Sequence, residues 1–109
     1  MAVHHFGQMT FAPQTGERFE RFEPERFGCI SVRDELIDGL LSSLKGIKTY
    51  RHGTDTPGSG LNEAGVTLIP PSSAGQMASV IKGREALMEL YQLLNEADRT
   101  QKWLIHFGI

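Results

Sequence analysis

The stretch REALMELYQLLNEADRTQKWLIHFGI, residues 84–109, carries two hydrophobic periods in succession, and the change between them decides the fold class. From Arg84 to Ala97, the apolar residues Leu87, Leu90, Tyr91, Leu94 and Ala97 recur at helical spacing, with Arg84, Glu85, Glu89, Gln92 and Glu96 elsewhere. One stripe of that helix is buried and the rest meets water. Asp98 to Lys102 reads as a polar bend. Beyond it Trp103, Ile105, Phe107 and Ile109 alternate with Leu104, His106 and Gly108, the period of a strand whose Trp-bearing face is expected to lie under a helix.

Upstream, Ser72 or Ser73 is placed to cap a second helical segment that buries Met77, Val80 and Ile81. At about 100° per residue, its apolar centre lies roughly a quarter turn from that of Leu87, Tyr91 and Leu94. One straight helix cannot bury both stripes, so a break is expected at Lys82-Gly83. The competing reading makes Met77 to Ile81 a strand hairpinned to Gly65–Ile69. Gly65–Ile69 itself reads as a strand, stopped by Pro70-Pro71 because neither residue has an amide hydrogen.

Before that strand, Gly53-Thr54-Asp55-Thr56-Pro57-Gly58-Ser59-Gly60 is the longest turn-forming run in the chain and is expected to be a loop after a strand over Ile47–His52. Leu36, Ile37, Leu40, Leu41 and Leu44 share one helical face, with Ser31 or Asp34 as cap, Gly39 inside and Gly46 as stop. Gly28 to Val32 has the alternation of a short strand. Residues 1–27 are Phe-rich, with a turn at Ala12-Pro13-Gln14-Thr15-Gly16 and a small repeat in Arg18-Phe19-Glu20 and Arg21-Phe22-Glu23, echoed by Arg26-Phe27. Pro and Gly there favour a turn between two extended segments, an arm or a β-hairpin.

The resulting order is an extended N-terminal pair, then strand, helix, strand, loop, strand, helix, strand. That is a split βαβ order. It predicts one α+β domain over residues 1–109, with an antiparallel or mixed sheet, two main helices on one face, and a ferredoxin-like arrangement plus an N-terminal hairpin.

A chain of 109 residues with 39% hydrophobic and 22% charged residues suits one folded domain. Its formal net charge of -2 lacks the positive field that a phosphate backbone attracts, so nucleic acid is not expected as a partner. The single Cys29 cannot form an internal disulfide, which fits a reducing compartment. No apolar run approaches the ~20 residues of a membrane span, and Met1 to Thr10 lacks a leader's basic and apolar segments. A cytoplasmic location is expected.

Motifs for chemistry are sparse. His4 and His5 are adjacent and point to opposite faces of an extended chain, and His52 and His106 stand far away, so no metal or cofactor is expected and the histidines read as surface or packing residues. Cys29 has no activating neighbour in sequence and reads as a small packing residue. Ser59, Ser72 and Ser73 lack a nucleophile elbow, and Gly58-Ser59-Gly60 lacks the Lys-Ser or Lys-Thr pair of a phosphate loop. Glu17, Glu20, Glu23 and Glu25 alternate with Arg18, Arg21 and Arg26, the pattern of a solvated, self-neutralising surface.

Two surfaces remain. Phe19 and Phe22, flanked by Arg, have the composition of a protein interface. Arg51, His52, Thr54, Asp55 and Asn62 bring donors and acceptors to the long loop, where a polar ligand or partner loop would bind. The leading expectation is a small non-enzymatic protein-binding module, self-associating or of the toxin-neutralising kind. The alternative is a ligand sensor or enzyme with its pocket at Gly53–Gly60.

Overall fold

The computed structural model describes residues 2–109, and Met1 lies outside them. The elements run β1 (Val3–Gln8), β2 (Ile30–Arg33), α1 (Asp34–Asp38), α2 (Leu41–Leu44), β3 (Lys48–Arg51), β4 (Pro57–Ser59), β5 (Val66–Ile69), α3 (Pro71–Ile81), α4 (Met88–Thr100) and β6 (Leu104–Phe107), with single 3₁₀ turns at Pro24–Phe27 and Glu85–Leu87. The class is α+β. One six-stranded sheet has the order β2-β1-β6-β5-β3-β4, and every neighbouring pair is antiparallel. Among the described residues, no helix is long and apolar enough to cross a membrane.

The order is not the interleaved one that the element sequence suggested, and the expected break at Lys82-Gly83 explains why. Helix α3 stops at Ile81, Gly83 takes φ +85°, and α4 then runs back along α3. A Cβ on Gly75, near the start of α3, would sit 2.7 Å from Oδ2 of Asp98, near the end of α4, so the two helices are close and antiparallel. A single crossover helix returns the chain parallel to its starting strand, whereas a pair of helices returns it antiparallel. Strand β6 therefore pairs directly with β5, with Leu68 opposite Ile105.

Four further expectations are corrected. The helix over 34–44 is two short pieces, because at Gly39-Leu40 the Leu40 amide bonds to Ile37 O and the turn tightens, which buries both Ile37 and Leu40. The Gly53–Gly60 loop contains an edge strand: β4 pairs with β3, and Pro57 is tolerated there as the outermost ladder member. Among the described residues the N-terminal hairpin is absent. Instead β1 lies inside the sheet, between β2 and β6, and the second half of the arm forms no strand. None of Ser31, Asp34, Ser72 and Ser73 caps a helix. Helix α1 begins after Arg33 and α3 after Pro70, and Ser73 Oγ donates to Lys48 O.

The sheet is buried on both faces. Phe6, Val32, Ile69 and Leu104 face Ile37, Leu40, Leu44, Met77, Ile81, Leu90 and Leu94 of the helices. Val66, Leu68, Ile105 and Phe107 point the other way and meet Met9 and Phe19, with half-buried Phe27, Cys29, Tyr50 and Trp103 around them. The Trp-bearing face of β6 is thus covered by the arm, and the helices cover the face of Leu104 and His106. All four residues of β6 and of β5 are buried, so neither strand has a wet side by which to tell its faces apart.

Candidate partner surface on the arm

Residues 9–29 form a strap across the second face, strung between the end of β1 and the start of β2. Met9 N bonds Trp103 O at 2.9 Å, which prolongs the β1–β6 ladder by one step. A turn closes where Glu17 N reaches Gln14 O at 3.0 Å and Glu17 Oε1 accepts from Gln14 N at 3.0 Å. Further on, Cys29 N bonds Pro24 O at 3.2 Å and the 3₁₀ turn delivers the chain into β2. This last contact requires Gly7: a Cβ there would lie 2.7 Å from Cys29 Sγ and 2.8 Å from Phe27 Cβ, nearer than packed atoms approach.

The strap is fastened to the β3–β4 turn. Phe19 N donates to His52 O at 2.8 Å, and His52 Nδ1 donates back to Phe19 O at 3.1 Å. His52 accepts φ +63° to do so, a conformation that costs a residue with a Cβ on the order of 1 kcal/mol. Arg18 adds bonds to Asp55 at 3.2 Å and Thr56 at 3.3 Å. Those side chains are exposed, so the ion pair steers the strap more than it stabilises it.

Two groups of residues singled out separately in the sequence are therefore brought together, Phe19 with His52 and Arg18's partner Asp55. The others are placed apart. Phe19 is buried and belongs to the second core, whereas Phe22 is 64% exposed and Phe11 82%. Phe22 nonetheless has a fixed seat, edge-on to His5 at 5.2 Å and to Phe107 at 5.8 Å between ring centroids. Arg51 is exposed at the end of β3 and Thr54 half-buried in the turn. Asn62 belongs to another neighbourhood, where its amide donates to Thr67 Oγ1 at 3.0 Å.

Under the strap lies a depression of about 210 Å³, walled by Arg18, Arg21, Glu23 and Arg26 and floored by Phe27, Ile105 and Phe107. A second, of about 350 Å³, opens beside it among Met9, Phe11, Phe19 and Phe27. The Arg26 guanidinium stands 5.0 Å from the Phe27 ring centroid, a cation–π contact that holds it over the floor. Cys29 offers no nucleophile. Burial, and then the nearby Glu25, push its thiol up to about 11, so it stays protonated.

A second constellation, missed in the sequence, crosses the opposite face of the sheet. His4 and His106 are both fully buried, with ring nitrogens 2.8 Å apart, and the chain continues from His4 Nε2 to Asp34 Oδ1 at 2.8 Å and from His106 Nδ1 to Thr67 Oγ1 at 3.2 Å. A histidine within the otherwise apolar β6 and another two residues before Phe6 in β1 were the available signal. Their meeting depends on a register, His106 between Phe6 and Thr67, that no local pattern encodes. Among the described residues, no three His, Cys, Asp or Glu side chains are grouped as a metal ion would require. No protein-family model matches the chain, and comparison with curated proteins and with solved structures finds no similar protein.

Proposed function

We propose that this protein is a small non-enzymatic binding module whose N-terminal strap meets another protein or a second copy of itself. The observation that carries this reading is Phe22, a large apolar ring that is mostly exposed and yet held edge-on against His5 and Phe107. Exposed aromatic anchors beside arginines are the residues from which interfaces draw most of their energy. With Phe11, Arg21 and the two depressions they make a mixed apolar and basic surface. The lone Cys29 thiol suits a reducing, cytoplasmic setting.

The rival, a ligand pocket at Gly53–Gly60, has less support. Its polar groups are already engaged, His52 and Asp55 by the strap. The test is a Phe11→Ser/Phe22→Ser variant, followed by sedimentation and by capture of partners from native extract. Loss of self-association or of a captured protein, with the unfolding transition still cooperative, is the expected result. Unchanged sedimentation and an unchanged capture profile would refute the reading.

A further inference from the structure

We infer that Asp34, His4, His106 and Thr67 form a proton-operated latch, which holds β1 and the start of α1 against β6 and β5 while both rings are neutral and lets that corner go when both are charged. The inference is independent of what the strap binds.

With both imidazoles neutral, only one arrangement of hydrogens satisfies every atom. The Asp34 carboxylate can only accept, so His4 carries its hydrogen on Nε2 and offers a bare Nδ1. His106 must then donate from Nε2 and accept at Nδ1, and the Thr67 hydroxyl must donate to it. Thr67 Oγ1 in turn accepts the Asn62 amide. Four elements and a loop are joined in one directed chain.

One added proton fits without moving heavy atoms. It sits on His106 Nδ1, the Thr67 hydroxyl turns from donor to acceptor and its own hydrogen gives up its partner, and the proton between the rings can pass to His4, where the Asp34 carboxylate faces the charge. A second proton does not fit. Both nitrogens of the 2.8 Å contact would then carry hydrogen and both rings positive charge, with no acceptor between them.

The surroundings give the charge little help. From β1 the facing groups are His4 itself and, on the far side of the strand, His5; from α1 only Asp34; from β5 Thr67; and Phe6 lies against the His106 ring at 4.7 Å. The buried residues of α3 and α4 are Ser73, Ala74, Met77, Ala78, Ile81, Leu90, Leu94 and Ala97, none of them charged. Asp34 is 29% exposed and is the end that water reaches. Burial, then repulsion by His4 and by His5, push His106 down to about 3.

The sign follows. Unfolding exposes a ring that binds a proton near its ordinary value of 6.5, so the unfolded chain takes up more protons, and stability is full above that value and is lost as pH falls toward about 3.

Side-chain ¹⁵N spectra of the full chain at neutral pH test the starting state, and urea midpoints and amide exchange followed from pH 7 down toward about 3 test the release. Expected are two neutral rings, each protonated on Nε2, and exchange in β1 and early α1 that accelerates on acidification beyond its intrinsic pH dependence. His106→Gln is expected to lower the proton uptake on unfolding by about one. Asp34→Asn keeps the acceptor and removes the charge, so release should begin at a higher pH than in the wild type. A charged ring or a His106 proton on Nδ1 at neutral pH would overturn the inference, as would Asp34→Asn releasing at the wild-type pH. So would exchange that follows only the intrinsic rate.

Discussion

Thr67 shows how much one hydroxyl can carry at the residue scale. It is fully buried, accepts from the Asn62 amide and stands within hydrogen-bond reach of His106. Valine has nearly the same shape and neither capacity. Thr67→Val leaves one buried donor and one buried acceptor unpaired, so it is expected to lower stability by about 2–4 kcal/mol, each group costing about 1–3 kcal/mol with part recovered by relaxation. Urea denaturation measures this, and a loss below about 1 kcal/mol would mean that water replaces the hydroxyl. The sequence placed His4 and His106 among ordinary packing or surface residues. Their burial agrees with the first half of that reading, but their pairing was hidden because they are far apart in the chain and meet only through β1–β6 register.

Breaks set the topology at the element scale. Lys82-Gly83 was legible as a discontinuity because two apolar stripes pointed in different directions, and α3 does stop at Ile81. What was not legible is that the following helix doubles back, since stripe angles describe a helix and not the path between two. Gly83 at φ +85° has open space around its missing Cβ, so the cost of a side chain there is conformational alone. Gly83→Ala should destabilise by about 1–2 kcal/mol without changing the fold. Thermal unfolding would register it, and an unchanged midpoint would mean that the α3–α4 turn relaxes at no cost. The split at Gly39-Leu40 belongs to the same scale: a continuous apolar face concealed it, because a tightened turn still sends Ile37, Leu40 and Leu44 inward.

For the whole molecule, the three-layer build of helices, sheet and strap divides the two Phe residues of one short repeat between different tasks. Phe19 is 7% exposed and packs in the second core, while Phe22 stands 64% exposed on top of it. Phe19→Ala is accordingly expected to cost about 3–5 kcal/mol and to loosen the strap, and Phe22→Ser to change stability by less than about 1 kcal/mol. Paired denaturation curves decide it, and equal losses would mean that both rings are core. By itself the sequence determined the α+β class, most strand and helix positions, the bend after α3 and the apolar character of the strap, because each rests on periods or turn residues within a few positions of one another. Only the tertiary structure decided which face of β6 the helices cover, that β1 lies inside the sheet, that Phe19 and His52 meet, and that two distant histidines share a proton-bearing chain. Those outcomes depend on strand register and on how connections fold back, and strands buried on both faces leave no alternation from which either can be read.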